Sequence, residues 1–266
     1  MGMDRREFLR LAGITTIAGL SGLTASTALR NSLSEATQFS PDPRALVGKR
    51  WAMVIDVSKF KTDEDYMKVI NACHRIHNVP NVTDRAPNLE IKWIWKETYE
   101  HAFPGQEHEY IEEGVKDKPF ILHCNHCDNP PCVRVCPTKA TYKRPDGIVM
   151  QDMHRCIGCR FCMAGCPFGA RSFNFYDPRP YIKEMNMEYP TRTKGVVEKC
   201  TFCFERLAVG LKPACVEASN GAMVFGDLKD PKSEVREILR ANYSIRRKPE
   251  LGTMPSVFYI VGGKNA

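Results

Sequence analysis

Residues 123–137 read HCNHCDNPPCVRVCP and residues 156–167 read CIGCRFCMAGCP. The first run spaces its thiols C-x2-C-x4-C-x3-C-P through Cys124, Cys127, Cys132 and Cys136; the second is C-x2-C-x2-C-x3-C-P through Cys156, Cys159, Cys162 and Cys166. Thiolates this dense suit a metal cluster. A cubane [4Fe–4S] cluster needs four of them at the corners of a tetrahedron, and a short loop with cysteines three apart wraps three corners. The last cysteine, just before the proline, opens a helix that leads away and so serves a neighbouring cluster. Two such runs therefore share ligands, each giving three to one cluster and one to the other. Gly158 and Gly165 are expected to let the backbone turn tightly and bring N–H donors to the sulfides.

Other chemistry fits the spacing poorly. Structural zinc uses C-x2-C pairs separated by about a dozen residues or more, whereas here four cysteines fall within 13 positions. Exported domains use disulfides, but not in tandem runs that end in C-P. Covalent haem needs C-x-x-C-H, and the C-x-x-C pairs here are followed by Asp128, Arg160, Met163 and Phe204. No nucleophile stands beside a base, and no glycine-rich phosphate loop occurs. The histidines, His123 and His126 among them, have no ligand spacing of their own and read as groups around the clusters or in solvent.

A third run begins at KCTFC with Cys200 and Cys203 and continues to Cys215. The pattern of the other runs puts one more cysteine at 219, where Ser219 stands. The remaining cysteine of the 12, Cys73, lies far upstream in ACHRIHNVP.

HCNHCDNPPC, EKCTFCFERLAVGLKPACVEA and PELGTMPSVFYI resemble the four-cluster ferredoxin-type electron-transfer subunits of membrane-bound respiratory oxidoreductases, including those of dimethyl sulfoxide, polysulfide and nitrite reductase complexes. The resemblance covers about residues 50–262. That family pairs its second cysteine motif with its third, and its first with its fourth. Its first motif follows a segment like VDVSKC and ends in a cysteine shortly before a segment like NNVP. Here IDVSKF at 55–60 puts Phe60 at the first ligand, no cysteine occurs in 61–72, and only Cys73 remains before HNVP at 77–80. The resemblance implies that one shared cluster has lost all its ligands together, the one at Ser219 included. It assigns Cys124, Cys127 and Cys132 with Cys166; Cys156, Cys159 and Cys162 with Cys136; and Cys200, Cys203 and Cys215 with Cys73. Three [4Fe–4S] clusters then use all 12 cysteines. A rival reading gives Cys200, Cys203 and Cys215 a three-iron cluster, or makes Ser219 a ligand, and leaves Cys73 without a role.

The same resemblance implies electron relay with no bond chemistry on a substrate. Its partners would be a quinone-interacting integral membrane subunit and a redox protein such as a multihaem cytochrome c. Among relatives, an export signal with three clusters suits the DsrO-like subunit of the sulfite-reduction-associated membrane complex. The alternative is an electron-transfer subunit serving a molybdopterin oxidoreductase directly. A reading from another class, a stand-alone iron–sulfur enzyme or redox sensor, needs an open iron site, against which full cysteine occupancy argues.

The elements that must hold these thiols are short. The expected fold is α+β, with tandem ferredoxin-like units in one loop-rich domain over 48–266 and the clusters serving as much of its core. LEIKWIWKETYE (89–100) alternates as a half-buried strand with both tryptophans on a core face. GIVMQD (147–152) and GAMVFGD (221–227) read as strands that each follow a cysteine motif, an internal repeat; SEVREILRAN (233–242) reads as a helix with a serine N-cap. EHEYIEEG (107–114) reads as an acidic solvated loop. Residues 1–30, with Arg5-Arg6 before Phe8 and Leu9 and then a weakly apolar stretch, read as a twin-arginine-type export signal, or an uncleaved anchor; residues 31–47 read as a linker. This implies placement in the periplasm or on the outer face of the membrane. The net charge of +7 is spread without a basic run, which argues against nucleic acid. A [4Fe–4S]2+ core with four thiolates carries about two negative charges, so three clusters nearly cancel that excess.

Overall fold

The structure, a computed structural model, describes residues 42–82, 89–106 and 108–262. Residues 1–30, read above as an export signal, lie outside the described residues. The strands are β1 (Trp51–Asp56), β2 (Ile94–Glu97), β3 (Phe120–His123), β4 (Thr141–Lys143), β5 (Val149–Gln151), β6 (Ser172–Phe173), β7 (Val197–Glu198), β8 (Met223–Asp227) and β9 (Val257–Ile260). The helices are α1 (Asp63–Ile76), α2 (Tyr99–Ala102), α3 (Glu113–Lys116), α4 (Pro131–Arg134), α5 (Phe161–Ala164), α6 (Phe204–Leu207), α7 (Ala214–Ala218) and α8 (Glu234–Ala241). This is an α+β arrangement of short elements around one longer helix.

β1 sits at the centre of a three-stranded sheet, antiparallel to β8 and parallel to β9. Its sequence, WAMVID, is apolar almost throughout because both faces are covered. Trp51, Met53 and Ile55 join the main core, while the alternate residues Ala52 and Val54 pack with Val224, Val235 and Ile260 beneath α8. The remaining strands form two-stranded antiparallel sheets, β2 with β3, β4 with β5, and β6 with β7.

α1 forms where the chain lacks the cysteines of a first motif. Thr62 Oγ1 accepts from the Asp65 amide, and the Asp65 carboxylate accepts from the Thr62 amide at 3.0 Å, a reciprocal capping box. Asp63, Glu64 and Asp65 fill the first turn, where the helix dipole favours negative charge. Tyr66, Val69, Ile70 and Cys73 follow at helical spacing and make the buried face. That face packs against α7.

The strand expected over 89–100 is confined to β2. Trp93 stands just before it, fully buried, with its indole N–H donating to Glu198 Oε2 at 2.6 Å. At the far end α2 takes over from Tyr99, and Ile94 rather than Trp95 fills the core. The acidic stretch at 107–114 runs into α3. The strands expected after two cysteine motifs both form, but in unlike places: β5 closes a hairpin with β4, and β8 joins the central sheet. The helix expected over 233–242 is α8, with Ser233 at its N-cap position and Val235 buried beneath it. Among the described residues no helix is long and apolar enough to cross a membrane.

Candidate metal centres

The first C-x-x-C turn of each run is built the same way. The residue before the second cysteine takes a positive φ in all three runs: His126 at 41°, Gly158 at 70° and Phe202 at 55°. A left-handed residue here bends the loop so that both thiols face inward and successive N–H groups converge, an anion-favouring arrangement. Only Gly158 announces this in its residue type; a Cβ there would meet Gly195 O at 2.4 Å. Gly165 differs from its expectation. Its φ is −77°, and what a side chain would crowd is Val135, across the contact between α5 and α4.

The structure gathers the thiols into groups of four. Cys124, Cys127, Cys132 and Cys166 line one cavity. Cys136, Cys156, Cys159 and Cys162 line a second. Cys73, Cys200, Cys203 and Cys215 meet where α1 packs on α7. Burial pushes the Cys73 thiol well above the ordinary thiol range, and the neighbouring Cys203, Cys200 and Cys215 add to the rise. Cys73 Sγ lies 3.6 Å from His77 Nδ1, and a ring nitrogen of His77 lies within 4.8 Å of Cys203 Sγ. The groups themselves are neighbours. Among the charges that raise the buried Cys200 thiol, Cys124 comes first, and Cys132 contributes to the rise of Cys162. The first group therefore stands between the third and the second.

These residues fit [4Fe–4S] clusters. All 12 cysteines are free thiols, and burial drives most of the shifted ones upward: Cys127 and Cys215 reach about 12. Such thiols ionise only when a cation replaces the proton, which metal coordination does outright. No carboxylate lines either cavity. Backbone N–H donors already point at sulfur: Thr141 to Cys136 at 3.4 Å, Val197 to Cys156 at 3.5 Å and Phe202 to Cys200 at 3.5 Å. Asn125, on the wall of the first cavity, has a buried side-chain amide with no hydrogen-bond partner among the described residues. A bound anionic cluster would give its N–H groups an acceptor.

The turn after Cys73 is held in place by a buried network. Arg192 donates to His77 O and, at 2.6 Å, to Asn78 O, and it pairs with the buried Glu198 at 2.8 Å. Asn78, at φ 52°, exchanges hydrogen bonds with Asn186 and donates to Tyr189 O. His77 stacks on Trp93, and its Nε2 meets Glu205 Oε1 at 2.7 Å. Its Nδ1 faces the Cys73 carbonyl at 2.9 Å, which can only accept, so that nitrogen carries a proton. None of these side chains has a spacing that marks it in the sequence; HNVP marks only where the cysteine motif ends.

The positions where the resemblance expects further cysteines are packed into the protein. Phe60 is buried and stacks on Tyr66 of α1 at 4.8 Å between ring centroids. Ser219 closes α7: its hydroxyl donates to Val216 O at 2.7 Å and accepts from the Met223 amide at 3.0 Å.

Comparison with known proteins agrees with this geometry. A family described as "4Fe-4S dicluster domain" matches residues 118–228. The protein is 42% identical to the Hdr-like menaquinol oxidoreductase iron-sulfur subunit 1 of Archaeoglobus fulgidus, over 98% of its own length and 100% of that protein. It is 35% identical to the menaquinone reductase iron-sulfur cluster-binding subunit of Nitratidesulfovibrio vulgaris, over 79% of its own length and 88% of that protein. It is 39% identical to the arsenate respiratory reductase iron-sulfur subunit of a Shewanella species, over 67% of its own length and 86% of that protein. With clustered thiols, a dicluster-domain match and a 42% identical relative aligned almost end to end, the chain belongs to the family of 4Fe–4S iron–sulfur electron-transfer subunits of respiratory oxidoreductases.

Proposed function

We propose that the chain relays electrons through three [4Fe–4S] clusters between a quinone-interacting membrane subunit and a second redox protein. The observation that carries this is the grouping of the thiols. Cys124, Cys127 and Cys132 stand with Cys166, Cys156, Cys159 and Cys162 with Cys136, and Cys200, Cys203 and Cys215 with Cys73, leaving no cysteine over. When bound, each cluster supplies one-electron transfer at a potential set by burial, charge and hydrogen bonds to sulfur. The chain's own part is to bury the thiols, aim N–H donors at them and set the groups in a row. The second group ends that row at the surface, where Cys159 is exposed. The recurrence of cysteine run, short helix and strand through α4, β4, α5 and β6 supports reading the region as tandem ferredoxin-like units.

The names of two relatives, a menaquinol oxidoreductase subunit and a menaquinone reductase subunit, support the quinone side. The arginine pair Arg5-Arg6 in the amino-terminal segment supports export, hence a site of action on the outer face of the membrane, and with three clusters it favours a multihaem cytochrome c as the other partner, as in the sulfite-reduction-associated complex. Likeness to the arsenate respiratory reductase subunit favours the second reading, direct service to a reductase of the molybdopterin type. Copurification of the native complex separates the two.

The test of the relay is iron and sulfide analysis with low-temperature electron paramagnetic resonance (EPR) on the full chain. About 12 irons per chain are expected from three cubanes. Cys73→Ser should remove one cubane's iron and signal and leave the others. Retention of every signal would remove the pairing of Cys73 with the third run.

A further inference from the structure

Four cations are buried among the described residues, Arg171, Arg192, Lys199 and Arg247, and Arg247 lies over the Phe168 ring and donates to Ala102 O at 2.9 Å. Arg192 has the carboxylate of Glu198 at 2.8 Å. Arg171 and Lys199 do not. Arg171, just before β6, is 4% exposed, and Lys199, between β7 and Cys200, is fully buried. Among the described residues neither pairs with a carboxylate. Arg171 Nη1 donates to Thr141 Oγ1 at 3.2 Å and to Gln151 Oε1 at 3.0 Å, while its Nη2 is buried without a hydrogen-bond partner. Lys199 Nζ donates only to backbone carbonyls, Val149 O and, at 2.7 Å, Cys200 O. A buried charge without a counter-charge is expensive, by several kcal/mol in order of magnitude. An anion beside each would offset that cost.

Their surroundings say what it is. Arg171 lines the cavity of the first thiol group. The Thr141 and Gln151 side chains that its Nη1 meets line the second cavity, so the guanidinium stands at the junction of the two. Lys199 bridges Val149, on the wall of the first cavity, and Cys200 of the third group. It stands at the other junction of the row.

We propose that Arg171 and Lys199 are counter-charges built into the two junctions of the relay, Arg171 shared by the first and second clusters and Lys199 by the first and third, and that they set the reduction potentials of the clusters they adjoin. This rests on the three-cluster reading. Reduction adds one negative charge to a cluster, so a fixed neighbouring cation stabilises the reduced state and raises the potential. The central cluster feels both cations and each outer cluster feels one. The middle of the row is thereby held up relative to a chain without them, which keeps an electron from meeting a barrier there.

The test is an EPR-monitored redox titration of the full, cluster-loaded chain, with signals assigned through Cys73→Ser for the third cluster and Cys159→Ser for the second. Arg171→Gln should lower the midpoint potentials of the first and second clusters and leave the third in place. Lys199→Gln should lower the first and third and leave the second. The charge-retaining Arg171→Lys should stay close to wild type. Where Arg171→Gln fails to hold iron, Gln151→Glu decides instead: it sets a carboxylate of the same shape against the guanidinium and should lower the same two potentials. Unchanged potentials, an upward shift, or an equal shift of all three would overturn the proposal. Wild-type protein holding fewer than three cubanes would instead overturn the relay reading itself, and iron analysis before titration tells the two failures apart.

Discussion

At the scale of single residues, the chemistry is divided between positions that spacing reveals and positions it hides. Eleven of the 12 cysteines stand in runs whose intervals are dictated by the reach of a loop around a cubane, so they are legible from the chain alone, whereas Cys73 stands apart and takes its place only through the family resemblance. Ser219 is legible as well, as a break in a pattern, and the structure adds what the hydroxyl does there. It is bonded within its own turn, to Val216 O and the Met223 amide, and so belongs to the closure of α7. Ser219→Cys is therefore expected to leave the iron content at its wild-type value and to cost about 1 kcal/mol through the weakened pair of hydrogen bonds. Iron analysis and a thermal melt check both halves, and an added cubane in the variant would show that the site still has room for one. Arg171, Lys199, His77 and Glu205 are invisible in the sequence for a common reason. Each acts through a neighbour supplied from far along the chain, His77 meeting Glu205 across 128 positions, and no interval in a sequence encodes that.

At the scale of elements, α1 stands where the family resemblance places a first cysteine motif. A cysteine motif there would have been a loop organised by metal, whereas Thr62, Asp65 and the apolar row from Tyr66 to Cys73 organise a helix without any. Its signal is present in the sequence, a capping box followed by apolar residues at helical spacing, and the missing cysteines beside it mask it. The strand over 89–100 fails for the opposite reason: its alternation is real, yet only residues 94–97 find a ladder partner, in β3, while Trp93 is taken by Glu198. Phe60 and Tyr66 stack on each other at the start of α1. Phe60→Ala is expected to destabilise the protein by about 3–5 kcal/mol, the ordinary cost of an aromatic cavity in a core. Since Phe60 supports α1, and α1 carries Cys73, the third cluster should be the one whose signal weakens on mild heating, with the other two retained. Simultaneous loss of all three would mean that α1 is no local prop but part of a single cooperative unit.

At the scale of the whole molecule, the order of the thiol groups is a property of the fold and not of the chain. The second and third runs are consecutive in sequence, yet their thiol groups are separated by the first, because Cys200 packs beside Cys124 and Cys162 beside Cys132. The ends of the row are also unlike. The third group lies within the main apolar core, with Cys73 and Cys215 among Trp93, Phe202 and Val216. The second group reaches the surface, with Cys159 exposed between Ile157 at 67% and Phe161 at 59% of full exposure. Apolar side chains left in water around an exposed ligand suit a face that meets another protein, and they leave that cluster least protected when the chain is isolated. Graded exposure of the isolated protein to ferricyanide or air is therefore expected to release iron from the second cluster first, with the first and third lost later. The check is EPR of each cluster against time, with Cys159→Ser identifying the early signal. Loss of the third cluster before the second would contradict the burial of Cys73, Cys203 and Cys215, and would place the open end of the relay at α1.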